Sequence, residues 1–546
     1  MRRHKLLLAL PWLIALLAIL FGGNALRPNV SASHQGIYDN IQLFNEVLNL
    51  VSEYYVESIE SDSLIQGAIG GMLDQLDPHS NYIHPKRFEE MDERNRGTYQ
   101  GIGVSFAIRD GHLTVISPME GGPSDRLGIR AGDIITHIEG ESAFQIKENE
   151  VFEKLRGPKG TRVQVTVRRA GRKEPLEFEI VRDEIPIESV PYAFMLEPGT
   201  GYVRMRNFSA RTSDELEAAL QQLEAEGLER LVLDLRGNSG GYLNAAVEVT
   251  DKFIEAGKKI VYTKGRIRGS SDDYFATDAA THPRLPLVIL INAGSASASE
   301  IVSGAVQDWD RGLVVGQQSF GKGLVQRQYR LRNGGALLLT VARYYTPSGR
   351  LIQRPYEPDG REAYYRELAD RFAEDDSSTA EPDSGEVPIY HTLLQERPVT
   401  GGGGIWPDVI IEASYHPSQL NTDLMLERKY FDYVNRYLSD EADRLPTEFP
   451  AFLAEFQVTD AMLDDFRALL EADSFAFEPE TLATHRDEVA RGIRSEMARF
   501  LWGENMRYRV LVAADPAVQR AVELLPEASA MLAESERIEA KRAAAE

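Results

Sequence analysis

Hydrophobic spacing divides most of the chain into four stretches. Over residues 38–91, Ile41, Phe44, Val47, Leu48, Val51 and Tyr54 recur at intervals that suit a helix, and Leu64, Ile65, Ala68, Ile69, Met72 and Leu73 repeat the pattern. This predicts two amphipathic helices, the second stopping before Asp77-Pro78, because the residue ahead of a proline is disfavoured in helical geometry. Over 99–185 the apolar period shortens to that of strands, at 104–108, 113–116, 134–138, 163–167 and 176–180, with Gly-rich turns between them and one helix at 148–155. From 201 to 408, continuous apolar runs such as 231–235 and 287–291 alternate with helical stretches such as 213–226 and 298–306. Strand, helix, strand order predicts an α/β layer with a largely parallel sheet. Past 418 the spacing is helical again, through Leu424, Tyr430, Phe431, Val434 and Leu438, then Leu463, Phe466, Leu469 and Leu470.

Two segments fall outside this scheme. Arg2, Arg3 and Lys5 precede an apolar run over residues 6–21, followed by small residues at 22–25. The run lies between the length of a signal-peptide core and that of a full membrane span, so residues 1–30 read as a signal peptide or a membrane anchor, with cleavage left open. Residues 374–386 carry Asp, Glu, Ser and Pro without a basic residue and read as a solvated insertion.

Composition narrows the chemistry. The 546 residues hold 60 Lys+Arg against 84 Asp+Glu, a net charge of -24, and no cysteine. Disulfides, thiolate zinc sites, iron–sulfur clusters and cysteine nucleophiles are excluded. So negative a chain repels phosphates, which argues against a general nucleic-acid binder. None of the ten histidines forms an HExxH pair, so a helix-borne zinc protease motif is absent.

Three motifs compete for a catalytic role. Gly237-Asn238-Ser239-Gly240-Gly241 fits GxSxG after a strand, where a hydrolase nucleophile elbow would stand with a distant Asp and His. Residues 316–322 imitate the GxxxxGK of a P-loop, but Gly323 follows where a Ser or Thr should hold magnesium, and 324–331 alternates like a strand. The third is Asn292-Ala293-Gly294-Ser295-Ala296-Ser297-Ala298-Ser299-Glu300, between an apolar strand and an apparent helix. A serine at such a turn is exposed for attack, and adjacent backbone N–H groups can face a developing oxyanion. Taken alone, the run is better explained as helix capping, with Glu300 as the capping-box carboxylate. Downstream, however, Lys322 stands between Gly321 and Gly323, and Gln326 follows four residues on. Burial can lower a lysine pKa by up to about 3–5 units, enough to leave an amine that takes a proton from a serine hydroxyl.

The stretches NAGSASASEIVSGAVQD and SFGKGLVQ resemble the active site of the carboxy-terminal processing proteases, the tail-specific serine–lysine endopeptidases of family S41. GMLDQLDPHSNYI, DLRGNSGG, TPSGR and GGGGIWPDV also resemble segments of that family, in family order, over roughly 38–408. The resemblance implies an α/β multidomain protein. Its parts would be a helical N-terminal region (36–98), a β-rich PDZ module (99–185), an α/β protease core like that of ClpP and crotonase (186–417, including the 374–386 insertion) and an acidic helical C-terminal domain (418–546). It makes Ser297 the nucleophile, Lys322 the general base and Gln326 the support of the lysine. Ala298 and one of Gly240 and Gly241 would supply oxyanion-hole N–H groups, with Ser239 only shaping a turn. Gly101, Ile102, Gly103 and Val104 look like a PDZ carboxylate-binding loop, so that a C-terminal tail would dock as an added strand. The expected substrates are proteins or peptides with apolar C-termini, no metal or organic cofactor is implied, and the expected location is the periplasm or cell envelope, with residues 6–21 as a candidate anchor. The C-terminal helices fit a dimerisation arm, an adaptor dock or a buttress. Two rivals remain: an esterase using Ser239 with His282 or His391, and a PDZ scaffold that binds without cleaving.

Overall fold

In the computed structural model, residues 32–545 are described apart from 358–359, 374–386, 412–416 and 442–444. The N-terminal apolar run and the acidic insertion therefore lie outside the described residues. No described helix is long and apolar enough to cross a membrane. Residues up to Leu76 form one compact unit and residues from Asp77 another. The first contributes the helices Ala32–Tyr54 and Ser61–Asp74, with Phe44, Val47, Leu50 and Tyr54 exposed.

In the second unit, the continuous apolar runs become a six-stranded sheet in the order Tyr192–Glu197, Thr200–Arg204, Arg230–Asp234, Leu287–Ile291, Leu313–Gly316, Val409–Ile410. The first pair is antiparallel and every later pair parallel. These strands read as unbroken apolar runs because both faces are covered. Leu231, Leu233, Leu287, Ile289 and Ile291 pack with Leu216, Leu220, Val249, Val302 and Val306 from the helices Thr212–Ala225, Leu243–Asp251 and Ala298–Asp308. Val232, Val288 and Leu290 face the other way, onto Val512, Val518, Ala521, Leu525 and Ala528.

That second helical layer comes from the end of the chain. The acidic C-terminal region thus divides physically: Leu424, Tyr433, Phe452, Phe466 and Ile493 share a core of their own, whereas residues from Val512 onward complete the sheet sandwich.

A second, five-stranded antiparallel sheet lies beside the first. Its long strand Ala336–Tyr345 pairs with Asn81–Ile83, with Lys259–Gly265 and with Leu324–Arg330. The β-rich module is a separate antiparallel sheet ordered Val104–Arg109, His112–Pro118, Ile134–Ile138, Arg162–Arg168, Leu176–Val181, around a core of Leu113, Val115, Ile135, Val163 and Val165. Val104–Arg109 is an edge strand of this sheet. Thr98–Gly101 pairs with Asp183–Pro186 where the chain enters and leaves the module.

Candidate active site

Two neighbouring parallel strands end in turns that lean on each other. After Leu287–Ile291, Asn292 Oδ1 accepts from Gly237 N at 2.8 Å, across to the turn that follows Arg230–Asp234. Of the three serines in the SASAS run, Ser295 and Ser299 are fully buried. Their hydroxyls donate to the carbonyls of Leu235 and Asn238, each at 2.8 Å. Ser297 between them keeps part of its surface open. It caps the helix Ala298–Asp308 at φ 54°, ψ -109°, a conformation that costs a non-glycine residue about 1–3 kcal/mol and persists only where neighbours enforce it.

Two buried side chains do so, and both also hold Lys322. Glu300 accepts from Ser297 N at 2.7 Å and from Lys322 N at 2.9 Å through one carboxylate oxygen, and from Ser319 Oγ at 2.6 Å and Gly321 N at 2.7 Å through the other. The Tyr344 hydroxyl donates toward the carbonyls of the same two residues, Lys322 at 2.6 Å and Ser297 at 3.1 Å. Leaving any one such buried donor unpaired costs about 1–3 kcal/mol, so the clamp fixes two segments far apart in sequence. Burial pushes the Glu300 carboxyl up, against the pull of its four donors.

Lys322 precedes the strand Leu324–Arg330, whose register with Ala336–Tyr345 shifts between Val325 and Gln326. Its Nζ donates to Gln326 Oε1 at 2.8 Å, and Gln326 Nε2 donates to the His79 carbonyl at 2.6 Å. The His79 segment is itself pinned by Asp77, which accepts from His79 N and Ser80 N, both at 2.9 Å, and from Ser80 Oγ at 2.6 Å. Burial lowers the Lys322 pKa from its ordinary value, and the charges of Glu300 and Asp77 oppose the shift. Burial, then Lys322 itself, holds His79 down to about 3, so it stands neutral beside the amine.

Ser297, Lys322 and Gln326 line one cavity of about 300 Å³, together with Ser239, Gly241 and Tyr344. Among the described residues no hydrogen bond joins Ser297 Oγ to Lys322 Nζ; catalytic pairs commonly tighten only when substrate arrives. The two glycines of the neighbouring turn differ. Gly240 is buried and its N–H donates to Asn238 Oδ1 at 3.0 Å. Gly241 is exposed and lines the cavity. Its φ of 153° and the Phe208 carbonyl oxygen, 2.1 Å from where a Cβ would stand, leave no room for a side chain.

Among the described residues no histidine lines this cavity beside Ser239. His282 faces Glu224 and Thr281 instead, at 3.1 and 2.8 Å. His391 ends a two-stranded ribbon, Ile389–His391 against Pro398–Thr400. The P-loop imitation fares no better: Lys322 N is held by Glu300, and a strand follows it instead of a helix. Among the described residues no cluster of His, Asp and Glu could hold a metal ion.

In the β-rich module, Gly101 ends the strand Thr98–Gly101, Ile102 is buried in the module core and Gly103 sits at φ 69°. The Ile102 carbonyl accepts from Ser124 Oγ at 2.7 Å, which fixes the loop just ahead of Val104 and the edge strand.

Sequence reading missed that Glu300 and Tyr344 each join the Ser297 and Lys322 segments. Glu300 reads as a helix cap because its second partner lies beyond the local window, and Tyr344 is one aromatic in an alternating strand.

The family comparisons define the class first. The model of peptidase family S41 matches residues 199–361 and that of the PDZ domain matches 114–169. The N-terminal domain of the activating protease CtpB matches 24–86, and a family of unknown function matches 421–503. The chain is 39% identical over 325 residues to the carboxy-terminal-processing protease of Bartonella bacilliformis, covering 59% of this chain and 74% of that protein. It is 35% identical over 309 residues to the carboxy-terminal processing protease CtpB of Bacillus subtilis, covering 56% and 64%. Among solved structures, the photosystem II D1 C-terminal processing protease is similar at 29% identity and a TM-score of 0.32, over 57% of this chain and 90% of that one. The chain belongs to the carboxy-terminal processing proteases of family S41, serine-type peptidases with a PDZ domain.

Proposed function

We propose that the protein is an exported endopeptidase that cleaves proteins near their C-termini with a Ser297–Lys322 dyad. The observation that carries this reading is the double clamp: Glu300 takes the N–H groups of both residues and Tyr344 both carbonyls, at the wall of one cavity. Lys322 in its neutral form, which burial favours, takes the Ser297 hydroxyl proton as Oγ attacks the scissile carbonyl carbon. The tetrahedral oxyanion is met by Ala298 N–H and by Gly241 N–H, the glycine exposed in the cavity whose neighbour Gly240 is already engaged. Collapse breaks the C–N bond, and the leaving amine carries off the proton from Lys322. Water then attacks the ester, Lys322 accepts its proton and returns it to Ser297. Gln326, held by the His79 carbonyl, orients the amine.

Substrate enters by its tail. A C-terminal carboxylate docks on the backbone of Gly101, Ile102, Gly103 and Val104, and the residues before it pair with the open edge of Val104–Arg109. Export is read from the cationic and apolar residues at the start of the chain.

The test is cleavage of an unfolded protein with an apolar C-terminus. Ser297→Ala and Lys322→Ala are expected to lose activity by about 10⁴-fold or more, as removal of a nucleophile or base does elsewhere. Wild-type-like cleavage by Ser297→Ala would sink the assignment.

A further inference from the structure

A cavity larger than the one around Ser297 opens elsewhere in the second unit. A space of about 570 Å³ opens between the β-rich module and the C-terminal helices, within the size range of small-molecule sites. Its charge is opposite to that of the whole chain, which is -24. Among the described residues, five arginines line it against two glutamates. Those glutamates are engaged, Glu496 with Arg499 and Glu504 with Arg507.

Arg109 and Arg428 have no such partner. Arg109 ends the edge strand Val104–Arg109, and Arg428 lies between the helices Gln419–Leu426 and Lys429–Glu441 at φ 58°. Among the described residues neither forms an ion pair, and buried Arg109 Nε and Arg428 Nη1 have no hydrogen-bond partner. Asp432 is near enough to feel both charges but is paired with neither. Burial, then the charges of Arg109 and Arg499, pulls Arg428 below the usual guanidinium range, with Glu496 and Asp432 opposing the shift. One wall of the space is aromatic: Phe431 lies 5.4 Å from Phe500 and carries the Arg109 guanidinium over its ring at 4.8 Å.

We propose that this cavity binds a small organic anion, its phosphate or carboxylate head between Arg109 and Arg428 and its apolar body against Phe431 and Phe500. The guanidinium fork suits such oxyanions through paired N–H···O bonds. Because the two arginines belong to different modules, the ligand ties the peptide-binding module to the C-terminal helices. The proposal is independent of the Ser297–Lys322 reading.

Calorimetric titration of the full chain with phenyl phosphate, at fixed ionic strength, tests it. Saturable one-to-one binding is expected in wild type, weakened about tenfold or more in Arg109→Gln/Arg428→Gln and less in Arg428→Lys. Phenol, which lacks the phosphoryl group, should not bind. Inorganic phosphate should bind more weakly than phenyl phosphate, and equally tight binding would overturn the part assigned to the aromatic wall. Absence of saturable binding in wild type, or equal binding by the double variant, would overturn the proposal. If the double variant does not fold, phenylglyoxal modification of wild type serves instead: phenyl phosphate should shield Arg109 and Arg428, and unchanged modification would overturn the proposal.

Discussion

The turns after Arg230–Asp234 and Leu287–Ile291 begin alike. Each follows a buried parallel strand, carries a serine among small residues and leads into a helix on the same face of the sheet. They differ in what stands behind the serine. Ser239 is exposed in the cavity with no histidine beside it, and its turn contributes backbone: Asn238 takes the Gly240 N–H and leaves Gly241 facing the cavity. Ser297 is bent into a costly conformation and bound through Glu300 and Tyr344 to the lysine that faces the same cavity. A serine motif therefore acquires meaning from the groups that restrain it, and on the proposed reading the better match to a nucleophile elbow is the supporting turn.

The comparison is broken most severely at Glu300. Glu300→Gln places an amide NH₂ where one carboxylate oxygen accepts two N–H groups, leaving donors facing donors at about 1–3 kcal/mol each. Cleavage is expected to fall by about 100-fold or more, with a lowered unfolding midpoint. Wild-type rates in this variant would show that the clamp does not position the dyad.

Tyr344→Phe removes the other half of the clamp and keeps the ring. A loss of roughly 10-fold in kcat is expected, with KM little changed, since about 0.5–1.5 kcal/mol of hydrogen bonding is removed at a distance from bound peptide. A change confined to KM would contradict a positioning role.

Asp77→Asn sharpens the picture through pH. Activity requires the neutral amine, so kcat/KM rises as pH climbs through the Lys322 pKa, which burial has lowered. The Asp77 charge favours the ammonium and opposes that shift, so its removal moves the acid limb of the profile to still lower pH. A limb moved upward would contradict the assignment of Lys322 as base. Ser239→Ala should have the smallest effect, within about twofold, as for an exposed side chain outside the reaction. A hundredfold loss there would favour the elbow reading.

Much of this architecture was legible in the chain. Strand and helix periods marked 134–138, 148–155 and 287–291 at the bounds the structure shows, because each has one dominant apolar pattern and a Gly, Pro or polar boundary. The SASAS run and the glycine-flanked Lys322 were visible as well. The difference between Gly240 and Gly241 was not, since it comes from the Asn238 side chain folding back onto one amide. Nor was the link from Gln326 to the His79 carbonyl, which spans nearly half the chain. Helical spacing past residue 418 showed one continuous acidic region, but it could not show that Val518, Ala521 and Leu525 cover the protease sheet, because an amphipathic face does not name what it packs against.

Acyl-enzyme trapping tests the central claim most directly. A peptide ester is mixed with the protein, the reaction is quenched in acid during the first turnover, and the modified residue is located by mass spectrometry of the digested chain. The account predicts an acyl group on Ser297, absent from Ser297→Ala and failing to accumulate in Lys322→Ala. An acyl group on Ser239, or turnover of the ester with Ser297 unmodified, would contradict it.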